Sequence, residues 1–298
     1  WRDWSSDVCS SDLNDCMARL VGFIGNRPDL GARALAADKA AFSVDVSREA
    51  QRGSSASWGI GFYQGGEILL KRRPIDDRSS LDFGELVQGI KADVLVGHIR
   101  AATVGALRTE NTHPFRYRQW IFAQTGTVPR FDALREPLLE SLPQFLARSV
   151  RGETDAELVF HLFLSFLHDA GWLDRLDVPP AAVREALRST LSLVDRLCAE
   201  HGAGPSELNV VLASSDFLVG MRGGRAMAYE VLAGRGALER LFADESYGRT
   251  KVPHLMSVRL ALCASDFDDD RTPRGWSELP SRSFVTLSRT DEPQVEAL

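Results

Sequence analysis

Apolar and polar positions follow three patterns in turn along this chain. RLVGFIG, from residue 19, is an unbroken apolar run that reads as a buried strand, and an Ala-rich short helix opens after it near Pro28, a common first helical residue. WGIGFYQGGEILLKRR holds two apolar runs either side of Gly65-Gly66, the pattern of a hairpin. ADVLVGHIRAAT and QWIFAQTGTV predict further strands. A helical period then takes over and predicts helices from Phe131 to Val150, Asp155 to Asp169 and Pro180 to Glu200. The second has explicit ends, because Thr154 and Glu157 have capping-box spacing and Gly171 follows its last turn. Strand patterns return in LNVVLASS, in FLVGMRGGRAMAYEV as a hairpin turning at Gly223-Gly224, and in SVRLALCAS and SFVTLSR.

Strands therefore open and close the chain, and helices fill its middle. With no βαβ alternation and no repeat of about 20 to 50 residues, the expected class is α+β, antiparallel sheets covered by helices. No linker-like stretch divides residues 17–298, which predicts one domain there. The opening WRDWSSDVCSSDL has neither a basic nor an apolar signal-peptide region, and its near-repeat SSDVCSSD has no structural period. That string resembles a translated sequencing adapter, so residues 1–16 are expected to be a non-native leader and Met17 the native start.

Composition narrows the function classes. Apolar residues at 44% and charged residues at 26% suit a packed globular chain. Half of the net charge of -6 lies in the first sixteen residues, where Arg2 faces Asp3, Asp7, Asp12 and Asp15. The remainder has no basic footprint for nucleic acid or anionic lipid. LVFHLFLSFL, the longest apolar run, is about half the roughly 20 residues a membrane helix needs, and His161 interrupts it. Cys9, Cys16, Cys198 and Cys263 lie far apart without zinc spacing, which suits a reducing cytoplasm. There is no Walker loop, strand-linked GxGxxG or HExxH, so neither cofactor nor metal is expected. His161 and His168 share one helix face, where packing or a helix-end cation explains them better than a metal.

Candidate chemistry concentrates in three polar blocks set among the strands: GHIRAATVG, ENTHPF and FAQTGT. Arg100 ends an apolar run, where a guanidinium can grip a carboxylate in bidentate fashion or serve a structural ion pair. His113 before Pro114 can anchor a turn, and Thr125-Gly126-Thr127 can be a plain strand exit.

Taken together with SWGIGFY at Ser57 to Tyr63, TDAE at Thr154 to Glu157 and the tail ASDFDDDRTPRGWSELPSRSFVTL, these blocks resemble the class II glutamine amidotransferases. The resemblance covers nearly all of the chain from Met17. It is closest to the stand-alone branch that includes the γ-glutamyl amide hydrolase of ergothioneine biosynthesis. It implies an N-terminal nucleophile hydrolase-like αββα sandwich and a glutamine-like or γ-glutamyl small-molecule ligand. In that family an N-terminal cysteine, with its own α-amine as base, attacks a glutamine side-chain amide, while an Asn side chain and a Gly N–H hold the oxyanion. Carried over, Arg100 is expected to clamp the substrate α-carboxylate, Gly126 to be the backbone oxyanion donor and Asp155 to pair with the α-amine. Thr103 and His113, from the same blocks, complete the expected substrate-binding set.

Two positions depart from the family. MARLVGFIG overlays Met-Cys-Arg-Leu-Leu-Gly-Tyr-x-Gly without a gap, which puts Ala18 at the nucleophile position. Cys16 reaches that position only by a two-residue slip, which preserves strand facing. In QTG, Thr125 replaces the oxyanion Asn and Gln124 the His before it. Loss of one oxyanion donor costs about 2.7 to 4 kcal/mol in a serine protease, and loss of a hydrolase nucleophile about a million-fold in turnover. The expectation is a protein that binds glutamine or a γ-glutamyl amide with impaired catalysis. The alternatives are an active glutaminase or γ-glutamyl amide hydrolase working through Cys16, and a scaffold pairing with a second copy or a synthase subunit.

Overall fold

Short runs of β-branched, aromatic and aliphatic residues bounded by glycines pair here into antiparallel sheets. The computed structural model describes residues 18–47, 55–101, 106–242 and 257–298. The expectations for the leader, Cys16, Met17 and Thr103 lie outside them. Among the described residues one sheet runs in the order β13 (Ser277–Glu278), β11 (Met227–Ala233), β12 (Arg259–Ser265), β1 (Ala18–Gly25), β6 (Val94–Ala101), β3 (Ala56–Gln64), β4 (Glu67–Asp76). The second runs β15 (Gln294–Ala297), β14 (Ser283–Ser288), β10 (Phe217–Arg222), β9 (Asn209–Ala213), β8 (Trp120–Thr125), β7 (Phe115–Tyr117). A small ribbon pairs β2 (Ser43–Asp45) with β5 (Ser80–Asp82).

Both faces of each sheet are covered, which is why the central strands read as continuous apolar runs. Leu20 and Ile24 of β1 pack between the sheets with Val94, Val96, Ile121 and Val211. Val21 and Phe23, one position out of phase, pack outward against Leu35, Phe42, Phe83 and Leu86 of the short helices Gly31–Ala36, Lys39–Phe42 and Phe83–Leu86. On the far side Phe122, Leu212 and Val219 meet Leu134, Phe160, Leu164 and Leu187 of the helices Phe131–Glu140, Asp155–Asp169 and Pro180–Glu200. The layers are helices, sheet, sheet, helices: the α+β, N-terminal nucleophile hydrolase-like sandwich. No helix among the described residues is long and apolar enough to cross a membrane.

Three local expectations need correction. The helix predicted from Phe131 to Val150 is two helices, Phe131–Glu140 and Gln144–Ala147. Pro143 between them offers no N–H and disfavours helical backbone at Leu142. The hairpin at Gly223-Gly224 does not form, because β10 pairs with β9 and β14 whereas β11 pairs with β12 and β13 in the other sheet. The two glycines carry the chain from one sheet to the other so close to β9 that added Cβ atoms would stand 2.6 Å from the Leu208 carbonyl oxygen and 2.9 Å from that of Glu207. The capping box is half made: Thr154 Oγ1 accepts from the Glu157 N–H, but the Glu157 carboxylate turns to the N–H groups of Arg151 (2.9 Å) and Gly152 (2.6 Å).

Arg19 anchors the beginning of β1. Its side chain is 0% exposed, with Nη1 donating to the carbonyls of Ala40 (3.0 Å) and Ala41 (3.1 Å) and Nη2 to Asp268 Oδ1 (2.8 Å). The guanidinium also lies over the Phe267 ring, 5.3 Å from its centroid. Burial lowers its pKa against the pull of Asp268 and Asp266. Replacing Arg19 by Ala leaves the buried Ala41 carbonyl and the partly buried Ala40 carbonyl without this donor and opens a cavity, so unfolding in denaturant is expected to show a loss of about 2 to 4 kcal/mol. Asp268→Ala, whose carboxylate is 62% exposed, should cost at most about 1 kcal/mol. A loss below about 0.5 kcal/mol for Arg19→Ala would deny the anchor.

Candidate functional site

The apolar filling between the sheets gives out at one end, and polar side chains take its place. Because strand side chains alternate, extending the inward phase of Leu20, Val96, Ala123, Val211 and Cys263 to the strand ends puts Ala18, His98, Arg100, Thr125, Asn209 and Ser265 on the same inner face. Register brings them together: Ala18 lies opposite Arg100, Leu20 opposite both His98 and Ser265, and Thr125 opposite Asn209. The two sheets join here through Thr125 Oγ1, which donates to Asp266 Oδ2 at 2.6 Å.

Around Ala18 the polar groups are largely committed to one another. Ser265 Oγ donates to the same Asp266 oxygen as Thr125. Asp266 is buried, in left-handed backbone at φ 62°, and its N–H donates to the Ala226 carbonyl at 3.1 Å. Asn209 is taken up by the crossover between the sheets: Oδ1 accepts from Gly223 (3.2 Å) and Gly224 (3.0 Å), and Nδ2 donates to the Arg225 carbonyl (3.0 Å). At Gly126, which follows β8, only glycine fits, because φ is +86° and a Cβ would stand 2.1 Å from the Glu207 carbonyl oxygen.

Asp155 opens the long helix of the second outer layer and turns its carboxylate back under the strand exit. Oδ2 accepts from the Val128 N–H at 2.8 Å and Oδ1 from its neighbour Ala156 at 2.9 Å. Burial raises the Asp155 pKa, opposed by those two N–H groups and by the charge of Arg100. That opposition ties Arg100, on the first sheet, electrostatically to Asp155 on the far side of the second. Arg100, Asp155, Thr125, Gly126 and Ala18 therefore gather at one end of the sandwich.

His113 sits against the same wall, its ring 4.3 Å from that of His98 and 4.8 Å from Phe115. Burial, reinforced by the charge of Arg100, pushes His98 down to about 3. Burial also holds His113 well below the usual histidine range, with His98, Arg100 and Arg72 adding to the effect. Neither His113 nitrogen has a hydrogen-bond partner among the described residues. Gln124 faces the other way, toward the helix layer in phase with Phe122, and both its amide atoms are buried without hydrogen-bond partners among the described residues. His161 and His168 do not converge: His161 is buried and hydrogen-bonds the Glu157 carbonyl, while His168 is exposed beside Asp169.

Both described cysteines are buried. Cys263 lies inside the inter-sheet core, where burial pushes its thiol up to about 12. Cys198 is buried in the helix layer, and burial raises its pKa too. Among the described residues no three or more His, Cys, Asp or Glu side chains group as metal ligands. Asp266 and Ser265 are the site residues that sequence reasoning passed over. Their only signal was their position in the tail ASDFDDD, with no motif chemistry of its own.

With this geometry in place, comparison with known proteins is informative. The family model for the class II glutamine amidotransferases matches residues 36–234. A Saccharomyces cerevisiae protein named "Probable glutamine amidotransferase DUG3" is 24% identical over 212 residues, 68% of this chain and 59% of the relative. The chain thus spans less than two thirds of that relative's length. Among solved structures, a glutamine aminotransferase class-II domain protein from Silicibacter pomeroyi has a TM-score of 0.58 at 16% identity, covering 94% of this chain and 98% of that one. The glutamine phosphoribosylpyrophosphate amidotransferase of B. subtilis has a TM-score of 0.51 at 13% identity, covering 94% of this chain and 49% of that one. At those identities the likeness is one of fold.

The buried histidines predict an acid-labile fold. An unfolded histidine takes a proton near pH 6.5 while these two stay neutral when folded, so stability is full above that pH and falls as pH drops toward the folded values. Between pH 7 and pH 5 His98 should remove about 2 kcal/mol, and His113 acts in the same direction. Urea unfolding at the two pH values measures the loss, and His113→Phe should make it smaller. A stability unchanged from pH 7 to 5 would contradict two neutral buried rings.

Proposed function

Because this chain belongs to the class II glutamine amidotransferases, we propose that it binds glutamine or a γ-glutamyl amide between Arg100 and Asp155, with catalysis impaired at Ala18 and Thr125. The observation that carries this reading is the register of β1 on β6. Arg100 lies directly opposite the residue at the nucleophile position, and its charge is felt at Asp155. A guanidinium and a buried carboxylate at one pocket end are complementary to the α-carboxylate and α-amine of an amino acid. Asp155 has capacity left for that partner: each oxygen carries two lone pairs and accepts one backbone N–H. An ammonium bound there would favour the charged carboxylate against the burial that now raises its pKa.

An amino acid held by its head group at that end directs its side-chain amide toward residue 18. A methyl group stands there, and a methyl has no lone pair with which to attack a carbonyl. The Thr125 hydroxyl at the oxyanion position has one proton, and that proton is donated to Asp266. The two departures therefore reinforce each other: neither the thioester nor the full oxyanion cradle is available, while the head-group partners remain. Recognition without turnover is the reading this supports.

Isothermal titration with L-glutamine and with a γ-glutamyl amide should show saturable binding that Arg100→Ala abolishes. Absence of binding to the unaltered chain would sink the reading. In a chain started at Met17, so that methionine removal frees the amine of residue 18, Ala18→Cys with Thr125→Asn should restore measurable ammonia release from glutamine. An Asn at 125 has two N–H donors, one for Asp266 and one for the oxyanion. A folded double variant that binds glutamine yet releases no ammonia would mean that impairment lies elsewhere in the pocket.

A further inference from the structure

We propose that Asp266 makes the far end of this pocket select a ligand whose distal group donates hydrogen bonds, a carboxamide, over one that ends in a carboxylate. The inference rests on the head-group reading above and adds what the other end recognises. Glutamine and glutamate present the same α-carboxylate and α-amine, so Arg100 and Asp155 do not distinguish them. Discrimination has to come from the groups near Ala18.

The side-chain hydroxyls among them are already spent as donors. A hydroxyl has a single proton. Thr125 gives its proton to Asp266 Oδ2 at 2.6 Å, and Ser265 gives its own to the same oxygen at 2.5 Å, both in buried surroundings. With its proton committed, the Thr125 hydroxyl can offer a ligand only lone pairs, backed by a carboxylate that the fully buried Ser265 helps to hold. A neutral primary amide brings two N–H donors to such a wall. A γ-carboxylate brings acceptors and a like charge, so lone pairs would face lone pairs where water is scarce. Leaving buried polar groups unpaired by the wrong ligand is the arrangement that gives binding sites their larger selectivity ratios.

Asp266 is held for this task from more than one side. It follows Ser265, which pairs with Leu20 two residues along from Ala18, and its own N–H is tied to the Ala226 carbonyl. Its left-handed backbone, φ 62°, is one that Asn adopts readily. Asp266→Asn therefore keeps volume and backbone while removing the charge. The new amide can donate to Thr125, which releases the hydroxyl proton to turn toward the ligand.

Isothermal titration of the full chain with L-glutamine and L-glutamate tests this. Glutamine should bind tighter by about tenfold or more. In Asp266→Asn the ratio should shrink to about threefold or less, mainly through better glutamate binding. Thr125→Val, which removes the hydroxyl lone pairs at nearly constant shape, should weaken glutamine several-fold without weakening glutamate, and it serves as the test if Asp266→Asn does not fold. Equal affinity of the unaltered chain for both amino acids, or an unchanged ratio in an Asp266→Asn protein that melts like the original, overturns the role of Asp266 alone when Arg100→Ala still abolishes binding. Binding of neither amino acid overturns the head-group reading, and this inference with it.

Discussion

The pairing of β1 between β6 and β12 is the constraint from which the rest of the site follows. A strand buried on both faces cannot slip by one residue, because that would send Leu20 and Ile24 into the helix layer and Arg19 into the inter-sheet core. The Arg19 guanidinium, held by two carbonyls and Asp268, pins that register at the point where the strand begins. Residue 18 is then necessarily opposite Arg100 and faces the space between the sheets. Everything argued about the site depends on that placement.

A second constraint comes from the other sheet. β8 carries Thr125 inward to the same end, and the chain must leave the strand through Gly126, in backbone that only glycine adopts without clashing into Glu207. Val128, two residues on, then caps the carboxylate of Asp155. A single strand exit thus supplies the residue proposed for the oxyanion position, the glycine beside it and the scaffold for the proposed amine partner. The Thr125 to Asp266 hydrogen bond closes this group against β12 and decides which way the hydroxyl proton points. Chemistry and packing are the same contact here, which is why a change at residue 125 has to be judged together with residue 266.

Where reading the sequence fell short, long-range pairing was the reason. FLVGMR and AMAYEV, joined by a glycine pair, have every local property of a hairpin, yet each finds its partners in a different sheet. Local pattern records that a segment is extended and not which neighbour it will choose. The capping-box spacing was likewise satisfied by Thr154, but the Glu157 carboxylate found nearer unsatisfied N–H groups in the loop before the helix. Pro143 was visible in the sequence, and its power to break the helix there follows from its own missing N–H.

Taken alone, the order of apolar periods determined the α+β class, the bounds of the two long helices and most of the strands, because these depend on properties each segment carries within itself; the family came from the resemblance of the motif blocks. That resemblance put Ala18, Arg100, Thr125, Gly126 and Asp155 forward one by one, without any means of saying that they meet. Only the tertiary structure decided that they gather at one end of the sandwich, that Gln124 turns away from it, and that Ser265 and Asp266 join it from a segment about 140 residues beyond Thr125. The physical reason is that alternation assigns a face only once a strand has its neighbours. A hydroxyl is a donor or an acceptor only once something has taken its proton.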